Sequence, residues 1–190
     1  MQLLDIESIQ TSLDEEFLGL EPTLTGMRLV PIATGDEGMA SCQESLNVRL
    51  PSSFSGIVTR FDFGHFTIGP VAFCNRGDYF TWLKDINNPV GSPLSLGLAN
   101  RPDGIIMIAN SDQFALFLKT ISGQVLALEH GGNVSNDSFV VAGDFELLLR
   151  GLGTAFFQRH PNGGNEKLAG EIASLVSGSA ENRFWQWIAV

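Results

Sequence analysis

"GIIMIANSDQFALFLKTISGQVLALEHGG", residues 104–132, decides the fold. "GIIMIANSD" is a nearly continuous apolar run, "QFALFLKT" alternates, and "GQVLALEHG" alternates again, so three strands follow one another. Asn110-Ser111-Asp112 and Ile121-Ser122-Gly123 are the turns between them. Connections this short leave no room for a crossover, and neighbouring strands therefore pair antiparallel. Downstream, "DFELLLRGLGTAFFQR" sets Phe145, Leu148, Leu149, Leu152 and Phe156 on one helical stripe. Burying each such side chain contributes roughly 1.5 to 3 kcal/mol, so this helix must lie on the sheet. The pattern predicts an α+β fold, an antiparallel sheet of about four to six strands covered by helices.

Upstream, Leu3, Ile6, Ile9, Leu13 and Phe17 recur at helical spacing and stop before Gly19 and Pro22. "EPTLTGMRLVPIATGDEG" is then a connection with one short strand over Met27 to Ile32, followed by a helical stretch from Met39 to Leu46. "LPSSFSGIVTRFDFG" starts a helix at Pro51, with Ser52 and Ser53 as candidate caps and Phe54, Ile57, Val58 and Phe61 on its buried face. "HFTIGPVAFCN" reads as a hairpin about Gly69-Pro70, "GDYFTWLKDINNP" as a short helix with Phe80 and Leu83 inward, and "VGSPLSLGLANRPDG" as a loop. After the polar "RHPNGGN" a last helix, "EKLAGEIASLVSG", turns Leu168, Ile172, Leu175 and Val176 one way. The closing "RFWQWIAV" either covers a core edge or forms a partner patch. One domain spans residues 1–190: an N-terminal helix and connection over 1–38, a core over 39–158 and a C-terminal helical extension over 159–190.

The 190 residues suffice to bury one core, and no apolar run approaches the roughly 18 residues that span a bilayer. "MQLLDIESIQTSLDEE" has acids where a secretory signal needs basic residues, which makes the cytoplasm the expected compartment. Cys42 and Cys74 have no second Cys or His at ligand spacing and read as buried thiols rather than a zinc site or redox pair. Charge is more informative: 11 basic against 21 acidic residues leave a net of -10. Nucleic acid is a poor partner for such a surface, and a basic protein is a good one.

His130-Gly131-Gly132 looks like an oxyanion loop. That role requires a Gly-x-Ser-x-Gly nucleophile elbow, and no Ser in this chain has Gly two residues before it. The three residues stand where an alternating strand runs out, and paired glycines are an ordinary strand exit. His65, His130 and His160 are isolated from one another, and no spacing suits a metal. "GLGTAFF" has a Gly-x-Gly inside a helical stripe, without the third glycine of a nucleotide loop. Glu129 and Asp112 are read as solvated carboxylates rather than an acid and base across strands. The expectation is a protein with no catalytic residues, no cofactor and no metal.

"ESLNVRLPSSFSGIVTRFD" resembles the helix-start pattern of the SUKH superfamily through Glu44, Leu46, Leu50, Pro51 and Phe54. Residues 104–132 are similar to that group's strand, turn, strand, Gly-Gln-Val and strand-exit series, and "VVAGDFELLLRGL" is similar to its closing helix. The resemblance covers roughly residues 39–158. It departs from the group at Asp62-Phe63-Gly64, at Met107 and at the turn Asn110-Ser111-Asp112. The group includes immunity proteins and Smi/Knr-like cell-wall regulators. The resemblance implies a non-enzymatic bacterial immunity protein that binds and neutralises a polymorphic toxin, often a nuclease and therefore basic.

Asp62, Asp78, Asp103, Asp112 and Asp137 are the candidate partner-binding residues, as acids of loops and turns. The alternative is a regulatory module of the same fold with an endogenous partner. In that reading the aromatic C-terminal residues form a docking or homodimer element.

Overall fold

The computed structural model describes residues 1–32, 36–74, 77–88, 102–160, 162–179 and 182–189. Six strands, β3 (Thr67–Ile68), β4 (Val71–Ala72), β5 (Ile105–Asn110), β6 (Phe114–Lys119), β7 (Val125–Glu129) and β8 (Phe139–Ala142), form one antiparallel sheet in chain order. Every neighbour in it is the next strand in sequence; short turns join β3 to β4, β5 to β6 and β6 to β7, whereas a helix stands between β4 and β5 and another between β7 and β8. A separate two-stranded ribbon joins β1 (Val30–Pro31) to β2 (Phe61–Asp62). The expected strand over Met27 to Ile32 thus shrinks to two residues, and Phe61 leaves the helical face to enter β2.

The helices are α1 (Ile6–Phe17), α2 (Asp36–Leu46), α3 (Ser52–Val58), α4 (Tyr79–Asn87), α5 (Val134–Asp137), α6 (Phe145–Gln158), α7 (Glu166–Ser177) and α8 (Arg183–Ala189). Their starts have local causes. Asp5, Asp78, Asn133 and Asp144 each accept a backbone N–H two or three residues on, satisfying a donor the helix leaves free. α3 differs from expectation: Pro51 stands at its cap, and neither Ser52 nor Ser53 caps it. The loop read over 90–104 lies outside the described residues as far as 101.

Alternation predicts that β6 and β7 each turn one face to solvent, but both strands are buried on both faces. Phe114, Leu116 and Leu118 enter the main core, whereas Ala115 and Phe117 join a second cluster with Ile86, Met107, Leu126, Leu128 and Val134 on the opposite face. The main core runs from Leu3 through the α6 stripe to Ile188, so both terminal segments share it. Phe63, Phe66, Phe73 and Phe145 pack there with ring centroids 5.2 to 5.9 Å apart.

Two glycines on α6 set the approach of its neighbours. A Cβ at Gly151 would run into the Trp185 ring, and one at Gly153 into Ile9. The Gly-x-Gly of the sequence therefore lets α8 and α1 close against α6. Trp185 is fully buried, at 0 % exposure, and its indole N–H donates to Val141 O at 2.8 Å. Asn182 Nδ2 donates to Val140 O at 2.9 Å, which covers edge strand β8.

Candidate functional site: a groove and a cavity at opposite ends of the sheet

Three of the sequence motifs meet at one end of the sheet. Leu50-Pro51-Ser52-Ser53 at the start of α3, the β6–β7 turn over Thr120 to Gly123, and Gly143-Asp144 before α6 line an open groove of about 950 Å³. Each wall is fixed from behind. Leu50 N–H donates to Gln43 Oε1 at 2.8 Å, and Gly143 N–H donates to Val176 O at 2.7 Å. Thr120 gives both its N–H and its Oγ1–H to Gly104 O, at 2.7 and 3.0 Å. Gly123 turns the chain with φ +81, a left-handed value that suits glycine, and donates to Lys119 O at 2.8 Å.

The groove's polar side chains among the described residues include Asn47, Arg49, Ser52, Ser53, Ser55, Thr120 and Ser122, with no His or Cys among them. Asp144 Oδ1 is occupied by Leu147 N–H at 2.8 Å. At the turn tip Ile121 stands 94 % exposed.

The five candidate acids are all exposed, in three places. Asp62 Oδ1 accepts Gly64 N–H and Asp78 Oδ2 accepts Thr81 N–H, each at 2.7 Å. Their segments touch: Gly77 N–H donates to His65 Nε2 at 3.3 Å, and a Cβ on Gly64 would meet Gly77 O. Asp103 precedes β5 at the groove end of the sheet. Asp112, in the β5–β6 turn, and Asp137, which accepts Asn133 N–H at 2.7 Å, belong to the opposite end. Among the described residues none of the five is in an ion pair. The ion pairs among the described residues involve other acids, with Arg28 on Asp14 and Glu21, Arg60 on Glu7, Arg150 on Glu146, Lys167 on Glu171 and Arg183 on Glu129. Asp14 beside Arg28 raises that guanidinium's pKa further.

His130-Gly131-Gly132 ends a strand. His130 N–H donates to Gln113 O at 3.1 Å, Gly131 has φ +90, and Gly132 N–H closes the turn on Glu129 O at 3.0 Å. The His130 ring sits with Nε2 at 2.8 Å from Ser111 O; because a carbonyl only accepts, that nitrogen carries the proton. Glu129 pairs with Arg183 at 3.0 Å rather than with Asp112. Both thiols are buried outside any disulfide, and burial pushes Cys42 up to about 11. Among the described residues no group of three or more His, Cys, Asp and Glu has a metal-binding arrangement. No helix among them is long and apolar enough to cross a membrane.

Sequence reasoning missed a second concavity, of about 170 Å³, where β4, α4 and the β5–β6 turn meet. Trp82, Met107, Asn110 and Asp112 are among the residues that line it, and Asn110 Oδ1 is buried with no hydrogen-bond donor among the described residues. The signal in the sequence is an asparagine ending an otherwise apolar strand run. No protein-family model, curated protein or solved structure matches the chain.

Proposed function

We propose that the protein is a non-enzymatic immunity protein that binds and neutralises a cognate polymorphic toxin, a basic nuclease being the best fit, in the bacterial cytoplasm. The observation that carries this reading is the set of five exposed carboxylates outside any ion pair among the described residues, on a chain of net charge -10. A nuclease is cationic where it grips phosphate, and uncompensated carboxylates on a rigid α+β scaffold attract that surface and exclude its substrate. The resemblance to the SUKH superfamily points the same way. The alternative is a regulatory module docking through its aromatic C-terminal residues, of which Phe184 and Trp185 are buried within the chain and Trp187 is half-buried.

Co-expression with the product of a neighbouring toxin gene tests the reading. Cells should survive, and the purified pair should form a stoichiometric complex whose association rate falls roughly tenfold or more from low to high salt. Failure to protect, or an association rate indifferent to salt, would overturn it.

A further inference from the structure

The 170 Å³ cavity combines a buried acceptor, an exposed carboxylate and apolar walls. Ser111 Oγ is already spent, donating to Phe114 O and accepting Phe114 N–H, both at 2.9 Å, and Ser111 O takes the His130 ring. Two oxygen groups remain to receive a ligand. Among the described residues, Asn110 Oδ1 is buried with no donor and the Asp112 carboxylate makes no ion pair. Both accept hydrogen bonds and one is anionic, so the complement is a cation rich in N–H groups. The walls suit the rest of such a ligand. Trp82 brings the aromatic ring with the strongest cation–π attraction, and Ala72 and Met107 bring apolar surface for an alkyl stem. Water occupies roughly 30 Å³ per molecule, so the space exceeds what one bridging water needs and is on the scale of one long side chain.

We infer that this cavity receives a single cationic side chain, arginine or lysine, from the basic polypeptide partner. The inference rests on the reading that the partner is a basic protein, and it places one anchor of that contact at Asp112, the sheet end opposite the groove.

The test uses the full ¹⁵N-labelled chain and three probes: n-propylguanidinium, the neutral isostere n-propylurea, and an acetylated, amidated Gly-Arg-Gly peptide. Both guanidinium probes should shift the Trp82 indole and Asn110 side-chain amide signals saturably, with the urea at least tenfold weaker. Asp112→Asn, an exposed change that leaves the fold intact, should weaken the cationic probes at least fivefold, and Asp103→Asn should not. Absence of saturable shifts, equal binding of the urea, or equal loss in both variants would overturn the inference. Binding of the free guanidinium without the peptide would overturn it too, by making the cavity a small-molecule site. The probes contain no toxin, so their binding survives if the immunity reading fails. Conversely, toxin protection by a chain that ignores all three probes would refute the cavity's role alone.

Discussion

Asn87 pairs with the backbone of Met107 through both ends of its amide. Oδ1 accepts Met107 N–H at 2.7 Å, while Nδ2 donates to Met107 O and to Leu83 O, each at 2.9 Å. The reason lies in the sheet. β4 is two residues long and meets β5 only at Ala72 and Asn110, so the backbone of β5 at Met107 lacks a strand on that side. The last turn of α4 supplies the missing partner from a side chain.

Asn87→Leu keeps the volume and removes both partners of a buried peptide group. Each group so orphaned costs about 1 to 3 kcal/mol, and a loss of about 2 to 5 kcal/mol in urea unfolding is expected. A loss below about 1 kcal/mol would mean that β5 is satisfied by something other than this helix.

Gly151 and Gly56 make a matched pair. Both are helical with φ in the ordinary range, but a Cβ at Gly151 collides with Trp185, whereas at Gly56 nothing lies within 4 Å. Gly56→Ala should therefore raise stability by roughly 0.5 to 1 kcal/mol through helix propensity. Gly151→Ala gains the same propensity and loses more to overpacking, roughly 1 to 3 kcal/mol. Thermal unfolding of the two variants should shift in opposite directions; a parallel shift would show that α8 moves aside freely.

What periodicity carries, the sequence displays. The strands from Ile105 to Glu129 are legible as short apolar runs bounded by turn residues, and the stripe from Phe145 to Leu152 because burial imposes a spacing of three to four residues. "FALFLK" is apolar at every position but the last, which is the mark of a strand buried on both faces; what the sequence does not display is the second layer, with Ile86 and Val134, that covers it. β8 is four residues between polar turns and leaves too short a run to read. The polar clamps are hidden for another reason. Asn87 on Met107, Thr154 and Arg150 on the two backbone groups of Leu4, and Asn182 on Val140 satisfy backbone left over where an element stops, and no local pattern marks such residues. Of the site, the signature turns at the groove were legible as turns, their meeting was not, and Asn110 gains meaning only once Trp82 and Asp112 stand beside it.

Alkaline pH should destabilise the fold. Burial raises the Cys42 thiol from 9.0 to about 11, against the pull of Lys84. Between those values the unfolded chain has released the proton and the folded chain has kept it. The folded state then binds more protons, and stability falls as pH rises from 9.0 toward 11. Tyr79, buried with its hydroxyl donating to Ile108 O at 2.8 Å, is also pushed up by burial and adds a decline of the same sign above 10.0. Urea midpoints should drop across this window, and Cys42→Ala should flatten the drop without removing it. Midpoints that hold steady would show that solvent reaches both groups.

Trp185 separates the two readings of the C-terminal residues. Its ring fills the notch over Gly151, its N–H holds Val141 O, and Phe184 packs against it edge-on at 5.1 Å. Trp185→Ala removes all of this and should cost roughly 3 to 5 kcal/mol, as large aromatic truncations in cores do. Trp185→Phe retains the apolar contact, loses the hydrogen bond and should cost distinctly less. Light scattering alongside thermal unfolding makes the experiment decisive. A core cover loses melting temperature with the oligomeric state unchanged, whereas a docking element loses assembly with the monomer's stability intact. The buried ring predicts the first outcome for both variants, in proportion to what each removes.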